Sequence, residues 1–326
     1  MRSMLLALTV LAPLAYAQPK PPAPAPPGSK VERDIAYVLN GDKAQVLDIY
    51  VPEKASAKPL PLIVWVHGGG WKGGSKNGGP FAAFLSEGYA VASVEYRFSQ
   101  VAPFPAQLQD CQAAVRWLRA NAAKYNVDPD KFGAWGASAG GHLVALLGTE
   151  GGKKTFPAIG GNEGVSDRVQ AVCDYYGPAD FTTVVEQAGK LDPSIKFMYK
   201  FEGEKDPYWN LIQAKPGPTE AKAKAVSPTT YVTKDNPPFL IFHGTADPQV
   251  PYAQSEQLAG LLAKAGVPVI LQRMPGVGHG GGPFGGQAVR GLVKRFFDKH
   301  LKGEDVKVEP LPEEMMTAPP KAATTK

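Results

Sequence analysis

Three residues stand in settings that suit acyl transfer, and they occur in the order Ser138, Asp247, His279. Ser138 is the centre of Gly136-Ala137-Ser138-Ala139-Gly140, between a strand-like run at 131–135 and a helix-like run at 142–147. A strand that turns directly into a helix presents its middle residue at the helix N-terminus, and only small neighbours fit so tight a turn. The free N–H groups and positive dipole end of that helix favour developing negative charge. A nucleophilic serine also needs a base, an acid to orient the base, and donors for an oxyanion. His279 lies in Gly276-Val277-Gly278-His279-Gly280-Gly281-Gly282, a glycine setting that gives an imidazole room to reach the serine, and it is the expected general base. Asp247 follows a strand end and precedes Pro248, which makes it the expected acid, with Asp180 as the rival. The expected oxyanion donors are the N–H groups of Ala139 and of Gly69 and Gly70 in His67-Gly68-Gly69-Gly70-Trp71, or Trp71 if that loop is shifted.

The pentapeptide alone carries little weight, because its bland reading is a glycine-rich turn. The chain order adds discrimination, since Ser, Asp, His differs from both common protease orders. The remaining histidines have structural readings. His142 sits inside the helix after the turn, His243 ends a strand, His300 lies on the last helix, and His67 braces its own loop.

Behind these residues the chain alternates strands and helices. Residues 33–38 and 45–51 flank Asn40-Gly41-Asp42 as an antiparallel edge hairpin, and 60–66 is a nearly all-apolar strand of the kind helices cover on both faces. A short helix at 80–87, a strand at 89–95 and a long amphipathic helix at 105–125 follow. Strands at 131–135, 169–176, 239–242 and 267–274, with helices at 252–265 and 284–301, complete an α/β pattern with a mostly parallel sheet of about eight strands. The rhythm breaks over residues 178–226, where Phe181, Phe197, Met198, Tyr199, Phe201, Tyr208 and Trp209 recur without sheet periodicity. This reads as a cap or lid insertion whose aromatics either line an apolar pocket or fasten the insertion to the core.

The termini have a different character. Residues 1–17 combine a positive start, an apolar run and Ala15-Tyr16-Ala17, the pattern of a signal peptide cut after Ala17, so the expected location is secreted or periplasmic with no membrane anchor after cleavage. Residues 18–30 are a Pro-rich linker, 31–302 the expected catalytic domain, and 303–326 an expected mobile, disordered tail. The formal charge of +5 is spread along 326 residues without a basic run interleaved with aromatics, which excludes an evident nucleic-acid site. Cys111 and Cys173 permit a disulfide or two buried thiols, and neither has metal-ligand spacing.

The glycine run at 67–71, Gly136 to His142, Asp247 and His279 together resemble the α/β-hydrolase serine esterases over about residues 31–301. Phe104-Pro105-Ala106-Gln107, Arg116-Trp117-Leu118-Arg119 and His243-Gly244-Thr245-Ala246-Asp247 look more closely like the bacterial feruloyl and acetyl-xylan esterase-like (BD-FAE-like) group. That resemblance implies an α/β-hydrolase fold, an acyl-enzyme on Ser138, and no metal or organic cofactor. It implies a small-molecule or polysaccharide-linked ester as substrate. Formamidase-type and peptidase-type serine hydrolases are the alternatives, and so is a non-catalytic carbohydrate-binding protein on the same fold.

Overall fold

A computed structural model describes residues 24–316. The expected signal peptide lies outside the described residues, as do the first part of the linker and the last ten residues of the tail. Strands β1 (Ser29–Ala36) and β2 (Val46–Pro52) pair antiparallel, and β2 also runs antiparallel to β4 (Ala90–Val94). The other strands are β3 (Leu60–Val66), β5 (Val127–Ala137), β6 (Ala171–Tyr175), β7 (Phe239–Gly244) and β8 (Val269–Met274). With β4 they form a parallel block, and the eight strands lie in the order β1-β2-β4-β3-β5-β6-β7-β8.

Successive strand residues point to opposite faces, which explains why β3 is apolar throughout. Leu62, Val64 and Val66 enter one core, and Ile63 and Trp65 enter the other. Helices α2 (Ala106–Ala120), α3 (Ala139–Glu150) and α7 (Tyr252–Lys264) contribute to the first core. The second is covered by α1 (Ala82–Ser86) and α8 (Gln287–Phe297). Cys111 and Cys173 are both buried free thiols, on α2 and β6.

Three expectations need correction. The helix expected over 105–125 ends at Ala120, and a separate 3-10 turn, Ala122–Tyr125, closes on Asn126 in a left-handed conformation. The closing helix expected over 284–301 is interrupted, because Gly285 and Gly286 end a 3-10 turn before α8 starts, and a wide π turn covers Asp298–Lys302. The tail expected to be mobile from residue 303 is instead packed as far as Met316. Leu311 and Gln272 of β8 exchange two hydrogen bonds (2.6 and 3.2 Å), and the Met316 side chain is buried in the second core. The sequence hides this because the anchoring residues lack periodicity and their partners lie about 40 positions upstream.

The segment between β6 and β7 carries three short helices, α4 (Val184–Gly189), α5 (Pro207–Ile212) and α6 (Ala221–Val226). Asp206 caps α5 by accepting the N–H groups of Tyr208 and Trp209, with Pro207 at the first turn. Phe181, Phe201, Tyr208, Leu211 and Val226 join the first core, so the segment is continuous with the α/β body.

Candidate active site

Ser138 sits between β5 and α3 with φ 57° and ψ −121°, a strained left-handed φ for a residue with a side chain, of a kind that costs about 1–3 kcal/mol. The surroundings hold it there. Its N–H donates to the Tyr175 carbonyl (2.8 Å), and its own carbonyl accepts the His142 N–H (2.9 Å). The turn passes so close to β3 that a Cβ on Gly140 would lie 2.1 Å from the Val66 carbonyl oxygen, which is why small residues flank the serine. Ala139 is the first residue of α3, so its N–H has no acceptor within the helix.

The three sequence-expected side chains meet across the carboxyl ends of the parallel strands, where open α/β sheets place their sites. His279 Nδ1 lies 2.7 Å from Asp247 Oδ2, and His279 Nε2 lies 2.8 Å from Ser138 Oγ. The carboxylate fixes the proton on Nδ1, which leaves the Nε2 lone pair to accept the serine hydroxyl. Asp247 is buried and its other oxygen, Oδ1, accepts the N–H groups of Gln249 (2.7 Å) and Val250 (2.9 Å). Burial pushes its pKa up, but hydrogen bonds from His243 and His279 overcome this and hold the carboxyl well below the usual range. The rival Asp180 is engaged elsewhere, with Thr182 and Gln257.

The glycine loop after β3 forms the opposite wall. Gly69 has φ 117°, and a Cβ there would lie 2.1 Å from the Gly73 carbonyl oxygen, so only glycine suits this turn. Glu95 ties the two ends of the loop together. One of its oxygens lies 2.9 Å from His67 Nε2 and the other accepts the Lys76 N–H (3.0 Å). Trp71 is buried, and its indole N–H donates to His142 Nδ1 (3.1 Å), while His142 Nε2–H donates to the Val226 carbonyl (2.7 Å). Burial pulls His142 down to about 4, so it is a neutral acceptor at physiological pH.

In front of Ser138 opens a cavity of about 500 Å³ lined by Gly68, Gly69, Gly70, Lys72, Tyr176, Tyr199, Pro207, Gln249 and His279. Of the insertion's aromatics Tyr199 reaches this cavity, whereas Phe181 and Phe201 are buried as packing. Sequence reasoning missed Lys72, Tyr176, Pro207 and Gln249. Tyr176 lies one residue past the carboxyl end of β6, and that position was the available signal. Its ring is 4.6 Å from the His279 ring, and burial, with the Asp247 and Asp174 charges, pushes its hydroxyl up to about 12, so it stays a donor.

Comparison with known proteins gives the family. The BD-FAE family model matches residues 47–262. Esterase LipQ of Mycobacterium tuberculosis is 31% identical over 251 residues, which are 76% of this chain and 56% of that protein. The chain thus spans little more than half the length of the curated relatives it matches. Among solved structures, a truncated carbohydrate esterase from gut microbiota is 32% identical with a TM-score of 0.76, covering 87% of this chain and 100% of that one. An acetyl ester-xyloside bifunctional hydrolase from Caldicellulosiruptor lactoaceticus is 27% identical with a TM-score of 0.59, covering 79% of this chain and 86% of that one. With the family model running from β2 through most of α7 and the serine, histidine and aspartate joined above the sheet, the chain belongs to the BD-FAE family of α/β-hydrolase esterases.

Proposed function

We propose that this chain is an exported serine carboxylesterase that cleaves acetyl or feruloyl esters of plant polysaccharide through an acyl-enzyme on Ser138. The observation that carries the reading is the unbroken hydrogen-bonded chain from Asp247 through His279 to Ser138 at the mouth of a cavity. In this reading Ser138 Oγ attacks the ester carbonyl carbon while His279 Nε2 takes its proton. The carbonyl oxygen becomes an oxyanion held by the N–H groups of Ala139, Gly69 and Gly70, each worth about 3 kcal/mol in the transition state. His279 then protonates the departing alcohol, and a water that it deprotonates releases the acid and restores the serine. The ionised, buried Asp247 favours the imidazolium formed in both half-reactions.

The likeness to two solved relatives, a carbohydrate esterase and an acetyl ester-xyloside bifunctional hydrolase, supports polysaccharide-linked esters. Export rests on the N-terminal sequence, and among the described residues no helix is long and apolar enough to cross a membrane. The test is a fluorophosphonate probe together with 4-nitrophenyl ester hydrolysis. Labelling and turnover are expected for the intact chain, loss of both for Ser138→Ala, and a large drop for Gly69→Val through the distorted oxyanion loop. An intact chain with neither labelling nor turnover would refute the reading. A mature protein beginning at Gln18 is the corresponding expectation for export.

A further inference from the structure

Two spaces meet at Ser138, and the chemistry of ester cleavage tells them apart. His279 must hand its proton to the leaving oxygen, so the alcohol lies on the histidine side of the serine and the acyl group on the side away from it. The cavity of about 500 Å³ includes His279 and Tyr176 in its wall and is therefore the alcohol side. A second space borders Ser138 without touching His279. It measures about 10 Å³ and is walled by Trp71, Pro178, Tyr208 and Val250, and by Gly70, Tyr199, Pro207 and Gln249, which form the boundary it shares with the larger cavity. That volume is about the room one water needs, which is also about the room of a methyl group.

The walls of the small space are held in place. Trp71 is fixed by its bond to His142 and packs edge-on against Tyr208 at 5.8 Å. The Tyr208 hydroxyl donates to the Gln249 carbonyl (3.0 Å), and the Tyr199 hydroxyl donates to the Gln249 side-chain oxygen (2.9 Å). Trp71, Tyr208 and Val250 are each at most 3% exposed, so none can swing into solvent to make room. Close-packed side chains of this kind resist insertion of even a methylene. The alcohol side is open and offers Lys72, Tyr176 and Gln249 as hydrogen-bonding groups, which suits a hydroxylated alcohol far larger than the acyl group.

Resting on the esterase reading above, we infer that the site takes acetyl as its acyl group and rejects butyryl and feruloyl, with Tyr199, Pro207 and Trp71 setting the limit. The alcohol moiety is a sugar unit on the His279 side. In the covalent step the ester C–O bond breaks, the acetyl carbon becomes bonded to Ser138 Oγ, and the sugar oxygen leaves with the proton from His279. Water then adds to the acetyl carbon, breaking its bond to Oγ and releasing acetate.

The experiment compares 4-nitrophenyl acetate, butyrate and ferulate on the intact chain, which holds the alcohol constant and varies the acyl group alone. The expected kcat/KM for acetate exceeds that for butyrate by about 100-fold, with ferulate lower still. Comparable values for butyrate or ferulate overturn the inference and leave the esterase reading standing. Absence of turnover on all three overturns the esterase reading and this inference with it. Tyr199→Ala, a half-buried position where truncation leaves the core intact, is expected to raise the butyrate-to-acetate ratio at least about 10-fold. An unchanged ratio in that variant removes Tyr199 from the wall and overturns the limit assigned to it.

Discussion

His243 Nε2 lies 3.3 Å from Asp247 Oδ2, the same oxygen that receives the Nδ1–H of His279 at 2.7 Å. Nε2 also lies 3.0 Å from the Val250 carbonyl, so it faces two acceptors and must carry the proton, while Nδ1 accepts the Ser255 hydroxyl at 2.7 Å. His243 is thus a buried donor to the Asp247 carboxylate. It positions the carboxylate and touches no reacting atom.

Removing that donor has a signed consequence. His243→Leu is expected to lower kcat/KM on the order of 10- to 100-fold, the scale of a hydrogen bond to a charged group. With one donor fewer the carboxylate is a stronger base toward His279 and favours the imidazolium, so the acid limb of the pH–rate profile moves to higher pH. His243→Gln, which can still present an N–H to these oxygens, should restore much of both. Measuring kcat/KM against pH for the two variants checks this. A loss of activity with an unmoved acid limb would mean that His243 only supports packing.

How far the site was legible in the sequence depends on the range of the interaction. The small residues around Ser138 announce themselves locally, because a side chain at Gly140 would strike β3. Asp247 and His279 could be named because each follows a strand in an order that suits the serine, but Asp180 meets the same order, and only tertiary placement turns it away to Thr182 and Gln257. The alternation of β3 through β8 with helices fixed the parallel sheet for the same reason. Tyr199 and Phe201 could not be told apart, since both are aromatic, two positions apart, and only tertiary placement sends one to the cavity and the other to the core. Tyr176 escaped notice because nothing local distinguishes a strand-end tyrosine that flanks a histidine from one that packs.

Asp174, on β6 beneath the serine turn, makes a second prediction. It is 1% exposed, its Oδ1 accepts the Gly177 N–H (2.9 Å), and among the described residues its Oδ2 has no hydrogen-bond partner. Burial pushes its pKa up to about 6, against the lowering effects of the Gly177 N–H and of nearby His243. A folded-state pKa above the unfolded one contributes stability that is fully present below the unfolded value near 3.8 and is lost as pH rises through 6. Asp174→Asn keeps the Oδ1 acceptor and stays neutral at every pH. Its stability relative to the parent chain should therefore grow by about 1–2 kcal/mol between pH 5 and pH 8. Urea unfolding at the two pH values measures this, and a pH-independent difference would show that Asp174 is ionised in the fold at both.

The packed tail makes the last prediction. β8 ends the sheet, and an uncovered edge strand is open to unwanted pairing and to solvent. Residues 311–316 lie against it, with the Gln272–Leu311 pair, an ion pair between Arg273 and Glu313 (2.8 Å), and Met316 buried in the second core. The ion pair is exposed and adds little, so the apolar anchors carry the attachment. Met316→Ala is expected to cost about 2–3 kcal/mol, the lower part of the range for truncating a buried methionine, because this end of the chain can relax around the gap. Deleting residues 307–326 should cost more, since Val308 and Leu311 leave with it. Arg273→Ala should change stability by less than about 1 kcal/mol. Thermal unfolding of the three variants ranks these terms. A deletion that unfolds at the same temperature as the intact chain would show that the tail is a passenger on β8.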